Sequence, residues 1–192
     1  MSFGAAMQER LELIAADGHR LAANLALPKT KARGALVVVQ EIFGVNSHIR
    51  AVADGFAADG YLVVAPALFD RVERSVELGY DAADIQRGRG LKDACPADKA
   101  LLDIQAAVAC ARSRLGPTGR VGIVGYCWGG LLCWLAACGL GSLAAAVPYY
   151  GGGMPEHAAR VPRCPVLAPF GERDALIPLA GVDELRRLHP GI

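Results

Sequence analysis

The chain has 192 residues, 53% of them hydrophobic and 20% charged, with a net charge of +1. That is enough apolar material for one well-buried domain, residues 1–192, and too little length for two. The near-neutral balance, with lysines and arginines scattered and no basic stripe interleaved with aromatics, argues against nucleic acid or an anionic membrane surface as a partner. In chain order, residues 10–28 (RLELIAADGHRLAANLALP) read as two strands around the turn signal Asp17-Gly18, an antiparallel hairpin at a sheet edge. The β-branched run 34–40 (GALVVVQ) reads as a strand buried on both faces. A helical pattern follows over 47–59, with Ser47 as N-cap and Gly60 as stop, and then a second buried strand at 61–66 (YLVVAP). Residues 70–94 lack a sustained apolar period and are expected to form loop and short helix, whereas 96–115 carry helical spacing.

The stretch 119–130, GRVGIVGYCWGG, runs from a short strand at 120–124 through Gly-x-Cys-x-Gly into the apolar helix LLCWLAAC. This is the cysteine form of a nucleophile elbow, in which glycines admit a sharp strand-to-helix turn and the central side chain stands clear of the sheet at a helix N-terminus. Strands are expected at 143–151 (LAAAVPYYG) and 164–171 (CPVLAPFG), and a last helix through 182–189. Strands alternating with helices imply a mostly parallel sheet with helices on both faces. The uncharged run 121–155 is long enough to cross a bilayer, but its glycines, Pro148 and paired tyrosines fit a buried strand, turn, helix and strand better. Six cysteines (Cys95, Cys110, Cys127, Cys133, Cys138 and Cys164) form no C-x-x-C pair and no zinc spacing, so no metal is expected. With no basic segment leading into an apolar N-terminal run, no signal peptide is expected, and a reducing cytoplasm is the predicted compartment. Ligands of such sheets sit beyond the carboxyl ends of the strands, where Glu41, Cys127 and Asp174 each follow a predicted strand.

QEIFGVN (40–46), GYCWGG (125–130), YYG (149–151) and GERD (171–174) resemble the dienelactone hydrolase family, α/β-hydrolases with a Cys-His-Asp triad. The similarity runs from about Leu11 to the end of the chain. It implies Cys127 as nucleophile, Asp174 as the residue that orients the base, and Glu41 as the acid that pairs with the cysteine. It also implies an oxyanion hole from the N–H groups of Ile42 and Trp128, and Arg87 as the cation for a substrate carboxylate, with Arg89 as a fallback. The implied reaction is hydrolysis of a small carboxylate-bearing lactone or ester through a thioester acyl-enzyme, in aromatic-compound degradation and without a cofactor. The family's histidine follows the last strand, after the acid. Here residues 185–192 (LRRLHPGI) stand where a final strand, the histidine loop and a closing helix would begin, and the second arginine is also missing, so a C-terminally incomplete domain is expected. His19, His48, His157 and His189 are weak substitutes by position. Other readings are an inactive relative that binds a small carboxylate or lactone, and a general thiol-dependent carboxylesterase. An uncovered sheet edge would favour a homodimer.

Overall fold

The apolar strand runs are continuous because both faces of the sheet are covered. The computed structural model describes residues 7–192. Its strands are β1 (Met7–Ile14), β2 (Arg20–Leu27), β3 (Gly34–Val39), β4 (Tyr61–Pro66), β5 (Val121–Tyr126) and β6 (Ala146–Tyr149). Its helices are α1 (Ser47–Ala58), α2 (Ala82–Asp93), α3 (Ala97–Leu115), α4 (Trp128–Gly139) and α5 (Leu179–Leu188). Across the sheet the order is β1-β2-β4-β3-β5-β6. The β1–β2 hairpin and the β2–β4 pair are antiparallel, and β4, β3, β5 and β6 run parallel.

Successive strand residues point to opposite faces. Val38, Val63 and Ala65 pack under α1 with Ile49, Ala53 and Ala57. Val37, Val39 and Val64 face the larger core, where α3 contributes Ile104 and Ala107 and α4 contributes Leu132 and Trp134. The uncharged run is accounted for here as β5, α4 and β6, and the α4 side chains Trp134, Leu132 and Ala136 are wholly buried. Among the described residues no helix is long and apolar enough to cross a membrane.

Three expectations are corrected. The N-cap of α1 is Asn46, with Ser47 the first helical residue. Asn46 Oδ1 accepts the Ile49 N–H at 3.2 Å, and the same amide donates to the Leu78 carbonyl at 3.0 Å, a second bond that a serine hydroxyl is too short to make. The segment 70–94 contains a full twelve-residue helix, α2, capped by Asp81 accepting from Asp84 N–H at 2.8 Å. Its buried residues are only Gly88 and Leu91, too few to mark a period. The strand expected at 164–171 shrinks to one bridge between Ala146 and Val166. Ala146 N–H donates to Pro165 and Leu167 N–H to Ala146, but the next two rungs would need N–H groups from Pro148 and Pro169. β6 itself is correspondingly short.

A buried ionic hub holds the loops behind the strand ends. Asp103 of α3, fully buried, takes two bonds from Arg71, at 2.6 and 2.7 Å, and Arg71 also reaches Asp17 in the hairpin turn at 3.0 Å. Burial pushes the Asp103 carboxyl above its ordinary range while Arg71 pulls it back down. Arg71 ends the 3-10 turn Leu68–Arg71, whose Leu68 N–H is bound by Gln40 at the end of β3. Removing one partner of a buried pair leaves the other charge uncompensated. Asp103→Ala is therefore expected to cost about 3 kcal/mol of unfolding free energy, measured by urea denaturation. A loss below about 1 kcal/mol would show that the hub does not hold these loops.

Candidate active site

The chain turns from β5 into α4 at Cys127, whose backbone is held at φ 54° and ψ −117°. This is a left-handed conformation that non-glycine residues rarely adopt without being over-determined by their surroundings. The determinants are close backbone contacts. A Cβ on Gly125 would lie 1.9 Å from the Gly129 carbonyl oxygen, and one on Gly129 would lie 2.4 Å from that of Gln40. Cys127 N–H also donates to Tyr149 O at 3.1 Å, tying the corner to β6. The corner is thus tied to the ends of β3 and β6, and the Trp128 N–H donates to the sulfur.

Glu41 follows β3 directly, and its charge reaches Cys127, Tyr80, Tyr126 and Tyr150. The Tyr80 hydroxyl donates to Glu41 Oε2 at 3.2 Å. Gln40, completely buried, positions this corner by accepting the Leu68 N–H at 3.0 Å and donating to the Glu41 carbonyl at 3.2 Å. Tyr126 and Tyr149 stack at 5.1 Å, and Tyr150 leans against both. Burial, with Glu41 nearby, pushes the phenols of Tyr126 and Tyr150 up to about 12, so they remain neutral.

The same effects act on the thiol. Burial raises the Cys127 pKa above the ordinary thiol value, the Trp128 N–H lowers it, Glu41 and Asp174 raise it, and Lys92 lowers it. The resting group is therefore the neutral thiol.

Of the six residues implied by resemblance, the structure brings five to this end of the sheet. Cys127 and Trp128 form the elbow. Ile42 is buried on the loop after Glu41. Trp128 is stacked on Phe69 at 5.3 Å. Asp174 lies in the turn after the 165–170 segment, near enough for its charge to act on Cys127, and its Oδ1 accepts the Leu176 N–H at 2.8 Å. Arg87 is engaged elsewhere, in an exposed ion pair with Glu73.

The histidines are dispersed. His19 is in the hairpin turn, His157 is in a 3-10 turn, and His189 Nε2 lies 2.8 Å from the Ala158 carbonyl beyond α5. His48 touches the cluster through the edge of Tyr80, with ring centroids 6.4 Å apart. Sequence reasoning passed over Gln40, Tyr80 and Lys92. Only Gln40 carried a signal, as a polar residue closing an apolar strand run. A cavity of about 260 Å³ lies apart from these groups, lined by Arg10, Asn24, Arg50 and Ser75 among others and by none of Cys127, Glu41 or Asp174.

Known proteins resemble this chain in sequence and in fold. A family model for the dienelactone hydrolase family matches residues 21–188. A carboxymethylenebutenolidase from Pseudomonas putida is 32% identical over 175 residues, covering 90% of this chain and 74% of its own length. A Synechocystis relative is 35% identical over 164 residues, 79% of this chain and 66% of its own. The chain thus spans about two thirds to three quarters of the length of these curated relatives. A crystal structure of a Klebsiella pneumoniae protein described as a dienelactone hydrolase superposes with a TM-score of 0.79 at 31% identity, over 95% of this chain and 80% of that one. A strained cysteine elbow on a mostly parallel sheet and a match over nearly the whole chain lead to one conclusion: this chain belongs to the dienelactone hydrolase family of α/β-hydrolases.

Proposed function

We propose that the chain is a carboxylic ester hydrolase that opens a small lactone or ester through a covalent thioester on Cys127. The observation that carries this reading is the thiol held at φ 54° with a main-chain N–H on its sulfur and a carboxylate charge beside it. In this reading Glu41 takes the thiol proton. Cys127 Sγ then attacks the carbonyl carbon, and the N–H groups of Trp128 and Ile42 receive the oxyanion, each worth about 3 kcal/mol. The ester C–O bond breaks, the alcohol leaves with a proton, and water cleaves the thioester to return a carboxylate and the free thiol. Asp174 would orient a histidine base. The substrate is a carboxylate-bearing compound of the dienelactone type, and a homodimer and a cytoplasmic setting remain part of the proposal. The exposed side chains Val161, Leu167 and Leu176 beyond β6 support pairing at that edge.

One observation favours a second reading, binding without turnover. The Asp174 carboxylate takes its hydrogen bond from its own loop, and His48 meets the cluster through the edge of Tyr80. Cys127→Ala separates the two. Turnover of a small aryl ester is expected to fall by at least about a thousandfold, and intact mass should show an acyl adduct on the parent protein alone. Tight binding with no adduct and no turnover in the parent would establish the second reading. Glu41→Gln removes a negative charge from beside the thiol, so the thiolate becomes easier to form. The pH midpoint of Cys127 alkylation should therefore move down, while hydrolysis falls about a hundredfold for want of the proton acceptor. An unmoved midpoint would remove Glu41 from the site.

A further inference from the structure

The cavity of about 260 Å³ that stands apart from Cys127 is lined by β1, β2, the start of α1 and the stretch 75–77. Side chains two apart on a strand share a face, so Asn24 of β2 lies on the same face as Ala26, which packs under α1. Arg10 of β1 is the cross-strand partner of Asn24 and shares that face too. The walls are pinned to one buried carboxylate. Asp70 accepts the Ala22 N–H at 2.8 Å and the Ser75 N–H at 3.2 Å. Ser75 is held at φ 60°, a conformation that a non-glycine residue keeps only where its surroundings fix it. A Cβ on Gly44 would lie 2.0 Å from the Val76 carbonyl oxygen, so this wall rests on loop backbone behind it.

The polar groups at the cavity are mostly donors. Arg10 Nη2 donates to Ser75 Oγ at 3.1 Å, and among the described residues Arg10 has no carboxylate partner. Arg50 donates to the Val45 carbonyl at 2.7 Å and pairs with Glu77 at 2.7 Å, so these two charges offset each other. The Asn24 amide nitrogen is buried and, among the described residues, has no acceptor. Buried donors in native proteins nearly always have one. The last torsion of an asparagine is soft, so this amide can turn to an acceptor placed in the cavity. Val45, Ala67 and Val76 supply apolar lining beside these groups.

We propose that this cavity is a second ligand site, for a small monocarboxylate whose charged end meets Arg10 and Asn24 and whose hydrocarbon part lies against Val45, Ala67 and Val76. A carboxylate matches the planar fork of a guanidinium. One negative charge balances Arg10, whereas a second would face Glu77 with nothing to offset it. The site is independent of the hydrolase reading, since Cys127, Glu41 and Asp174 take no part in it.

The test is a titration of ¹⁵N-labelled protein at neutral pH with hexanoate, hexanamide or inorganic phosphate, followed by NMR. The Asn24 side-chain signal is identified by its loss in N24A, and affinity is read from the backbone amides of Ser75 and Val76. Hexanoate should move these signals saturably, and hexanamide should bind about tenfold more weakly. R10M and N24A should each weaken hexanoate about tenfold, while C127A binds it like the parent. No saturable shift in the parent, or unchanged affinity in R10M, overturns the proposal. So does equal binding of acid and amide, a comparison that needs no substitution and holds whether or not a variant folds. Phosphate binding more tightly than hexanoate would overturn the single-charge assignment, and loss of binding in C127A would place the ligand at the catalytic corner instead.

Discussion

Backbone packed directly on backbone at the Cys127 corner is the constraint from which the rest of the site follows. Because Gly125 and Gly129 present no side chains, α4 starts against the ends of β3 and β5, and the carbonyls of Val39 and Gln40 lie where a Cβ would otherwise be. That closeness holds Cys127 in its unusual backbone conformation at the start of α4. Such strain persists only where surrounding structure over-determines it. Here the surroundings are a largely buried α4 and the hydrogen bond from Cys127 N–H to Tyr149.

Glu41 is placed by the same corner and then shared among several groups. Gln40 locks the loop to the Leu68 turn, and the Asp103–Arg71–Asp17 hub fixes that turn in place. A chain of polar contacts, buried at Asp103 and Gln40, therefore runs from the hairpin to the residue beside the thiol. Around it burial keeps the phenols of Tyr126 and Tyr150 neutral, so they add no charge of their own to the site. In such surroundings each full charge has more effect than it would in water.

Much of the fold was readable because strands buried on both faces must be apolar throughout, as residues 34–40 and 61–66 are. The elbow was readable for a related reason, since close approach leaves no alternative to glycine. Helix α2 was obscured because it touches the core through little more than Gly88 and Leu91, so its sequence carries almost no periodic apolar signal. Asn46 was missed as a cap because its second bond goes to Leu78, thirty-two residues away, a partner only the folded chain supplies. Tyr80 reaches Glu41 across a comparable gap.

The prolines at the outer seam of the sheet have a consequence for how the molecule comes apart. Residues 165–170 are joined to β6 and Tyr150 by the Ala146, Leu167 and Tyr150 N–H groups, with Pro148 and Pro169 leaving gaps between them. Cys127 stands between a strand and a helix that are largely buried, whereas Asp174 follows a segment joined to the sheet by few main-chain bonds. Regions with few main-chain bonds and exposed apolar contacts open at a fraction of the global unfolding free energy. On gentle heating the arm that carries Asp174 would lift from the sheet while the Cys127 corner stayed folded, and amide exchange at Leu167 would outrun that at Val124. Cys127 and Asp174, brought to the same end of the sheet, would then open at different free energies.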